Sequence, residues 1–400
     1  MTEKTFSLEG KALKLDTEAD IAPHLEGLTT DVTKVVFKGN TIGVEASQAL
    51  ADKLKTLKDL EVADLSDIYT GRLREEIPKS LDIILTALLN CKKLHTIDLS
   101  DNAFGIATID PLESFLAKHT PLEHLILANN GFGPEAGSRI GKALVKLAEA
   151  KKELGEDSPK LETVVCGRNR LENGSMEAWA EFLSAHGTIK ELRLYQNGIR
   201  QEGIEHLFLH GLSASPHLEK LDLQDNTFTL RGATALSKTV ASWNGLKELQ
   251  ISDCLLTAKG GEAFGRALLE CSGLHTLEVL KLQYNEIDAN GLKLLIDAIA
   301  KNMPNLKALE LNGNRFPEDH EHIDSLNQIF EDRGFGELDE LDDMEEETDD
   351  EDEDEDEEEE EEEQERESIT RDADAAESEN VAPEKSKTVD DLADQIAKDL

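Results

Sequence analysis

The side chains in this sequence that could do chemistry are arranged for recognition rather than reaction. Asp64, Asp98, Asp101, Asp222, Asp225 and Asp253 fall at outward-facing positions of a repeating pattern, with Lys34, Lys38, His124, Arg168, Arg193, Tyr195 and Tyr284 among them. Taken singly, each is an ordinary solvated polar residue. Together they make a mixed surface richer in carboxylates, which suits a partner exposing lysine and arginine. Nothing resembles a phosphate-cradling glycine loop, a nucleophile elbow or a Cys/His cluster. No metal and no cofactor of the chain's own is expected.

The elements that must carry these side chains are legible from Leu122 to Gly133, LEHLILANNGFG. Leu122, Leu125, Leu127 and Asn130 match L-x-x-L-x-L-x-x-N, a short strand turning into a loop. The same column is occupied by Asn40, Asn102, Asn130, Asn169, Asn197, Asn226, Asn285 and Asn314, with Ile68 and Cys254 filling two further places. The steps between these ten positions are 28, 34, 28, 39, 28, 29, 28, 31 and 29 residues. An apolar residue follows two places on in nine of the ten. Gly203, Gly232, Gly260 and Gly291 lie six beyond the column. A step of 28–29 leaves room for a strand, a loop and a helix of about three turns. The fold class is therefore α/β: a leucine-rich repeat solenoid, or horseshoe, with parallel strands on the concave face and helices on the convex face.

Residues 1–30 read as an N-terminal capping unit, with Phe6, Leu8, Leu13 and Leu15 alternating and Ile21, Leu25 and Leu28 at helical spacing. Residues 31–336 hold about ten repeats. Two steps are too long. The 39-residue step contains KKELGEDSP at 151–159, read as a polar bulge. The 34-residue step contains TGRLREEIP and lacks the column asparagine, so the loop from Ser66 to Pro78 must be larger and differently held. Departure from a repeat marks a place to look for function.

Charge is uneven over the 400 residues. Residues 337–367 hold 25 Asp or Glu and one Arg, a net of −24, and read as a disordered acidic tail. Residues 1–336 hold 51 acids and 37 bases, a net of −14, which argues against nucleic acid and anionic membrane as partners. Residues 368–400 read as polar linker followed by a short amphipathic segment, Val389 to Leu400. Cys91, Cys166, Cys254 and Cys271 are too scattered for a zinc site or a disulfide framework, and Cys166 and Cys254 sit in the repeat pattern as buried thiols. The start of the chain shows no secretory signal and no run is long enough for a membrane span. A soluble intracellular monomer is expected.

Several segments go beyond the generic repeat. SDIYTGRLREEIP (66–78), HTPLEHLILANNGFGPEAG (119–137), CGRNRLENGSM (166–176), QNGIRQEGIEHL (196–207) and RGFGELDELDDMEE (333–346) closely resemble the Ran GTPase-activating protein family of fungal type. The resemblance covers nearly all of residues 1–346. It implies a partner, GTP-loaded Ran, whose hydrolysis is accelerated in support of nucleocytoplasmic transport. GTP and magnesium would be held by that partner, and the need for accessory Ran-binding proteins is left open. The chain lacks the additional C-terminal domain of animal members, which implies a cytoplasmic form.

The resemblance further implies that the chain supplies no arginine finger. It implies that Asn129 helps to hold Ran's own catalytic glutamine, and that Arg72 is required without entering the nucleotide site. Arg74 is a further contact candidate, beside Asp64, Asp98, Asp101, Arg168, Asp222 and Asp225. Asn129 directly precedes column residue Asn130 and so projects at the strand-to-loop edge. Arg72, two repeats earlier, is placed about 10 Å away by strand spacing, with Asp67, Glu75 or Glu76 as its ion-pair partners if its role is only structural. A ribonuclease-inhibitor-like decoy is one rival, disfavoured by only two Trp and three Tyr. The other is an acidic-tail histone chaperone, disfavoured by the 28-residue step.

Overall fold

The computed structural model describes residues 3–345. Fourteen strands follow one another: β1 (Thr5–Ser7), β2 (Lys14–Leu15), β3 (Lys34–Val36), β4 (Thr41–Ile42), β5 (Val62–Asp64), β6 (Thr96–Asp98), β7 (His124–Ile126), β8 (Thr163–Val165), β9 (Glu191–Arg193), β10 (Lys220–Asp222), β11 (Glu248–Gln250), β12 (Val279–Lys281), β13 (Ala308–Glu310) and β14 (Glu337–Leu338). Twelve form one parallel sheet in chain order, while β2 and β4 pair separately. Each strand is three residues or shorter, because the repeat turns at once into its loop. The middle residue of each repeat strand, such as Ile97, Leu125, Val164 or Leu192, is fully buried. Its two neighbours therefore face the concave side. Helices including Ile77–Leu88, Met176–His186, Gln201–His210 and Ala289–Asn302 return the chain along the convex side.

The column asparagines work as a ladder. Asn130 Nδ2 donates to Leu127 O (3.0 Å) in its own turn and to Leu99 O (3.0 Å) in the turn before. Its Oδ1 accepts from Asn102 N at 3.0 Å, and Asn169 Oδ1 accepts from Asn130 N at 2.8 Å. One buried amide thus satisfies backbone groups of two repeats, which is why asparagine recurs there. Cys254 keeps half of this role, its thiol donating to Leu223 O at 3.3 Å. Ile68 keeps none. The glycines six beyond the column sit where successive helices touch: a Cβ on Gly260 would stand 2.8 Å from Ala233 Cβ.

Two expectations change. The 39-residue step is a polar bulge only in part, an exposed turn at residues 155–157. Helix Gly133–Leu154 runs on through 22 residues, and Lys151 is buried, donating to Thr120 O, Leu122 O and Pro159 O at 2.6–2.8 Å. Burial pushes this ammonium group down to about 8. The solenoid also does not stop at residue 336, because Glu337 and Leu338 add the last strand beside Ala308 and Leu309. Asp339 then caps the sheet edge, Oδ1 accepting from Leu311 N (2.7 Å) and Oδ2 from Asn312 N (3.1 Å), in place of the carbonyls a further strand would offer. The first acidic residues are therefore ordered because they meet open donors. The remainder of the acidic run and residues 368–400 lie outside the described residues. All four cysteines are free and buried, as the repeat pattern required of Cys166 and Cys254.

Candidate functional site

The residue before each column position is left-handed in all ten repeats: Gly39, Asp67, Asp101, Asn129, Arg168, Gln196, Asp225, Asp253, Tyr284 and Gly313, with φ between +49° and +74°. Carrying the column side chain inward demands this turn, and Gly, Asn and Asp tolerate it best. The side chains of this row stand outward along the edge of the sheet, forming a crest. The bias toward Asp, Asn and Gly one place before the column was a readable signal that pattern matching on the leucines passed over.

On the crest, Asp101, Asn129 and Arg168 occupy successive repeats, since β6, β7 and β8 are neighbours. Asn129 is exposed, and its backbone N–H donates to Gly167 O at 2.9 Å. Its Nδ2 donates to Asp101 Oδ1 at 2.8 Å. A carboxylate can only accept, so the amide nitrogen must face Asp101 and the amide oxygen is turned toward solvent. Tyr195 lies across Gly167, where any Cβ would meet its ring at 2.4 Å. Burial raises the Tyr195 phenol above its ordinary value, so it stays a neutral donor. Asp225, farther along, accepts from Gln196 Nε2 at 2.7 Å.

The strand-end aspartates are different. Asp64 Oδ1 accepts from Ser66 N (3.0 Å) and Ser66 Oγ (2.6 Å), Asp98 Oδ1 from Ser100 N (2.9 Å), and Asp222 Oδ1 from Gln224 N (3.2 Å). Burial pushes the Asp98 and Asp222 carboxyls up. Asp64 and Asp98 are half-buried and Asp222 buried, so these three brace their own loops instead of standing free for a partner.

Arg72 departs furthest from its expected place. Its guanidinium turns away from Asn129 and closes onto the N-terminal unit, where Nε donates to Thr41 Oγ1 at 2.7 Å and Nη2 to Thr41 O at 2.8 Å and Leu15 O at 3.1 Å. Nη1 pairs with Asp16, not with Asp67, Glu75 or Glu76. Arg72 holds the Asp16 carboxyl below its ordinary value. Only 7% of the Arg72 side chain is exposed. Gly43 makes the room, since a Cβ there would stand 3.0 Å from Arg72 Nη1. The staple fixes the long loop, leaving Leu73 and Arg74 exposed at its tip. Its head lies over the repeat of β3, three strand spacings from Asn129, hence about 14 Å.

Comparison with known proteins now bears on this crest. The family model described as Leucine Rich repeat matches residues 214–237 and 273–295. The Ran GTPase-activating protein 1 of Saccharomyces cerevisiae is 43% identical over 340 residues, covering 82% of this chain and 83% of the yeast protein. The chain belongs to the Ran GTPase-activating protein family. The Drosophila melanogaster Ran GTPase-activating protein is 35% identical over 322 residues, 79% of this chain and 53% of that protein. The ribonuclease inhibitor of Sus scrofa is 25% identical over 249 residues, 61% of this chain and 51% of that protein.

Several features of this family member were not read from its sequence. His206 and His210 lie four apart on one helix with ring centroids 4.6 Å apart, a chelating spacing. Among the described residues, however, no group of three or more His, Cys, Asp or Glu is placed to hold a metal ion. His119 and His186 are not surface groups: each bonds a carbonyl of the preceding repeat, Leu94 O at 2.7 Å and Leu144 O at 2.9 Å. Burial drives both imidazoles down to about 4. Among the described residues, no helix is long and apolar enough to cross a membrane.

Proposed function

We propose that this chain activates the GTPase Ran by binding its GTP-loaded form and immobilising Ran's own catalytic glutamine against Asn129. Hydrolysis requires a water in line with the γ-phosphate and a glutamine that orients it. A mobile glutamine spends little time in that pose. An outward amide oxygen at Asn129 accepts a hydrogen bond from the glutamine NH2, which leaves the glutamine carbonyl to accept from the water. This is positioning catalysis, worth several kcal/mol without new covalent chemistry.

The observation that carries this reading is the exposed Asn129 amide, oriented from behind and mounted on a rigid crest. No arginine enters in this scheme. Arg72 acts by stapling its loop, and Arg74, Leu73, Arg168 and Asp225 are the nearer candidates for contact with Ran. Nucleotide and magnesium arrive with the partner, and the chain works as a cytoplasmic monomer, with or without accessory Ran-binding proteins. A ribonuclease-inhibitor-like decoy would need exposed aromatic anchors, yet Trp179 and Trp243 are in the core. The test is single-turnover GTP hydrolysis by Ran with and without this chain, with Ras as control. A large acceleration for Ran alone is expected; equal rates with and without the chain would reject the reading.

A further inference from the structure

The geometry points to Asp101 as a positioning residue that sets which end of the Asn129 amide faces the partner, an inference that rests on the reading of Asn129 given above. An asparagine amide has a donor end and an acceptor end of nearly equal size, so an isolated Asn129 would sample both orientations. Only one presents an oxygen to an incoming glutamine NH2. The other presents N–H groups, which meet that NH2 donor to donor.

The crest removes the ambiguity. Asp101 and Asn129 are both left-handed, at φ +61° and +56°, so their side chains emerge the same way from adjacent repeats. Their backbones are bonded to the following repeat, Asp101 N to Ala128 O at 3.0 Å and Asn129 N to Gly167 O at 2.9 Å. That rigid spacing brings Asp101 Oδ1 to 2.8 Å from Asn129 Nδ2. Reversing the amide would set two acceptor oxygens against each other. Asp101 is exposed and bonds no other side chain among the described residues, so its bond to Asn129 is not needed to brace the fold. The corresponding contact recurs at Gln196 and Asp225 (2.7 Å), but there the carboxylate lies in the following repeat and binds a longer, more flexible amide.

The test uses the full chain with Ran in single-turnover hydrolysis, separating kcat from KM for Asp101→Ala, Asp101→Asn, Asn129→Ala and the Asp101→Ala/Asn129→Ala double variant. Losing the bond that fixes both the amide's orientation and the side chain's rotamer should lower kcat by about tenfold in Asp101→Ala, with KM within about threefold. Asp101→Asn can still offer an oxygen to Nδ2 and tolerates the left-handed backbone, so it should recover most of the rate. In the Asn129→Ala background, Asp101→Ala should do nothing further. A parental kcat for Asp101→Ala, a loss confined to KM, or the same loss with and without Asn129 would each overturn the role of Asp101. A parental kcat for Asn129→Ala would instead overturn the reading beneath it.

Discussion

Replacing Arg72 by alanine should loosen a loop rather than remove a catalytic group. The side chain donates three hydrogen bonds to Thr41 Oγ1, Thr41 O and Leu15 O, besides its pairing with Asp16. Leu15 O also accepts from Gly43 N at 2.8 Å, so that carbonyl stays satisfied when the arginine goes. Counting only the two bonds to Thr41, at about 1–1.5 kcal/mol each, gives about 2–3 kcal/mol. If the loop opens locally, that corresponds to ~30–150-fold faster amide exchange across residues 66–76, with exchange in the distant repeats unchanged. Hydrogen exchange read by mass spectrometry makes the measurement, alongside hydrolysis on Ran. Arg72→Lys keeps the charge but only one point of attachment, so it should fall between parent and alanine. Gly43→Ala, which pushes on the guanidinium, should reproduce part of the loss without touching the arginine. The reasoning is refuted if Arg72→Ala keeps parental protection throughout 66–76 yet loses activation, for then the guanidinium acts on the partner itself.

Three further outcomes follow from the fold. Truncation after Gly336 removes the last strand and the Asp339 cap and should destabilise the solenoid by about 2–4 kcal/mol, whereas truncation after Glu345 should leave chemical denaturation unchanged; equal midpoints for the two would contradict the cap. His119 and His186 are neutral in the fold at pH values where the unfolded chain protonates them. Stability should therefore fall as pH drops from about 6.5 toward 4, by about 2–4 kcal/mol between pH 7 and 5, and a slope unchanged in the His119→Gln/His186→Gln variant would exclude them as its source. Cys254→Asn should replace the weak sulfur acceptor that faces Asn226 N by an amide oxygen and raise stability by about 1 kcal/mol; a lower midpoint would mean the thiol is favoured there by packing.

The solenoid was legible because its signal is repeated. Leu125 and Asn130 recur in register with their equivalents in the other repeats, and each must be apolar or an amide for the same physical reason. The site was not legible from register alone: the family resemblance singles out Asn129, and the register adds only that this residue stands one place before the column. What departs from register was hidden. Arg72 bonds Asp16, 56 residues away, and no local pattern announces a contact at that separation. Asp339 looks like one more member of a charge run, because composition cannot distinguish a carboxylate that caps a sheet edge from one that only repels its neighbours. Lys151 reads as solvent-exposed in the sequence and is buried because the long helix brings three carbonyls around it. Asp64, Asp98 and Asp222 face the concave side as their strand positions require. Their bonds to Ser66, Ser100 and Gln224 depend on turn geometry that the repeat consensus does not encode.

The most direct measurement compares this chain with its Asn129→Ala variant on two forms of Ran, one intact and one with its catalytic glutamine replaced by alanine, in single-turnover hydrolysis at saturating activator. On intact Ran the variant should lose at least about a hundredfold in rate, an estimate for a positioning group, while binding the GTP form as tightly as the parent. On the glutamine-less partner, parent and variant should be equally slow. A parental rate for Asn129→Ala on intact Ran, or an advantage of the parent that persists without the glutamine, would contradict the claim that this crest works by holding that side chain.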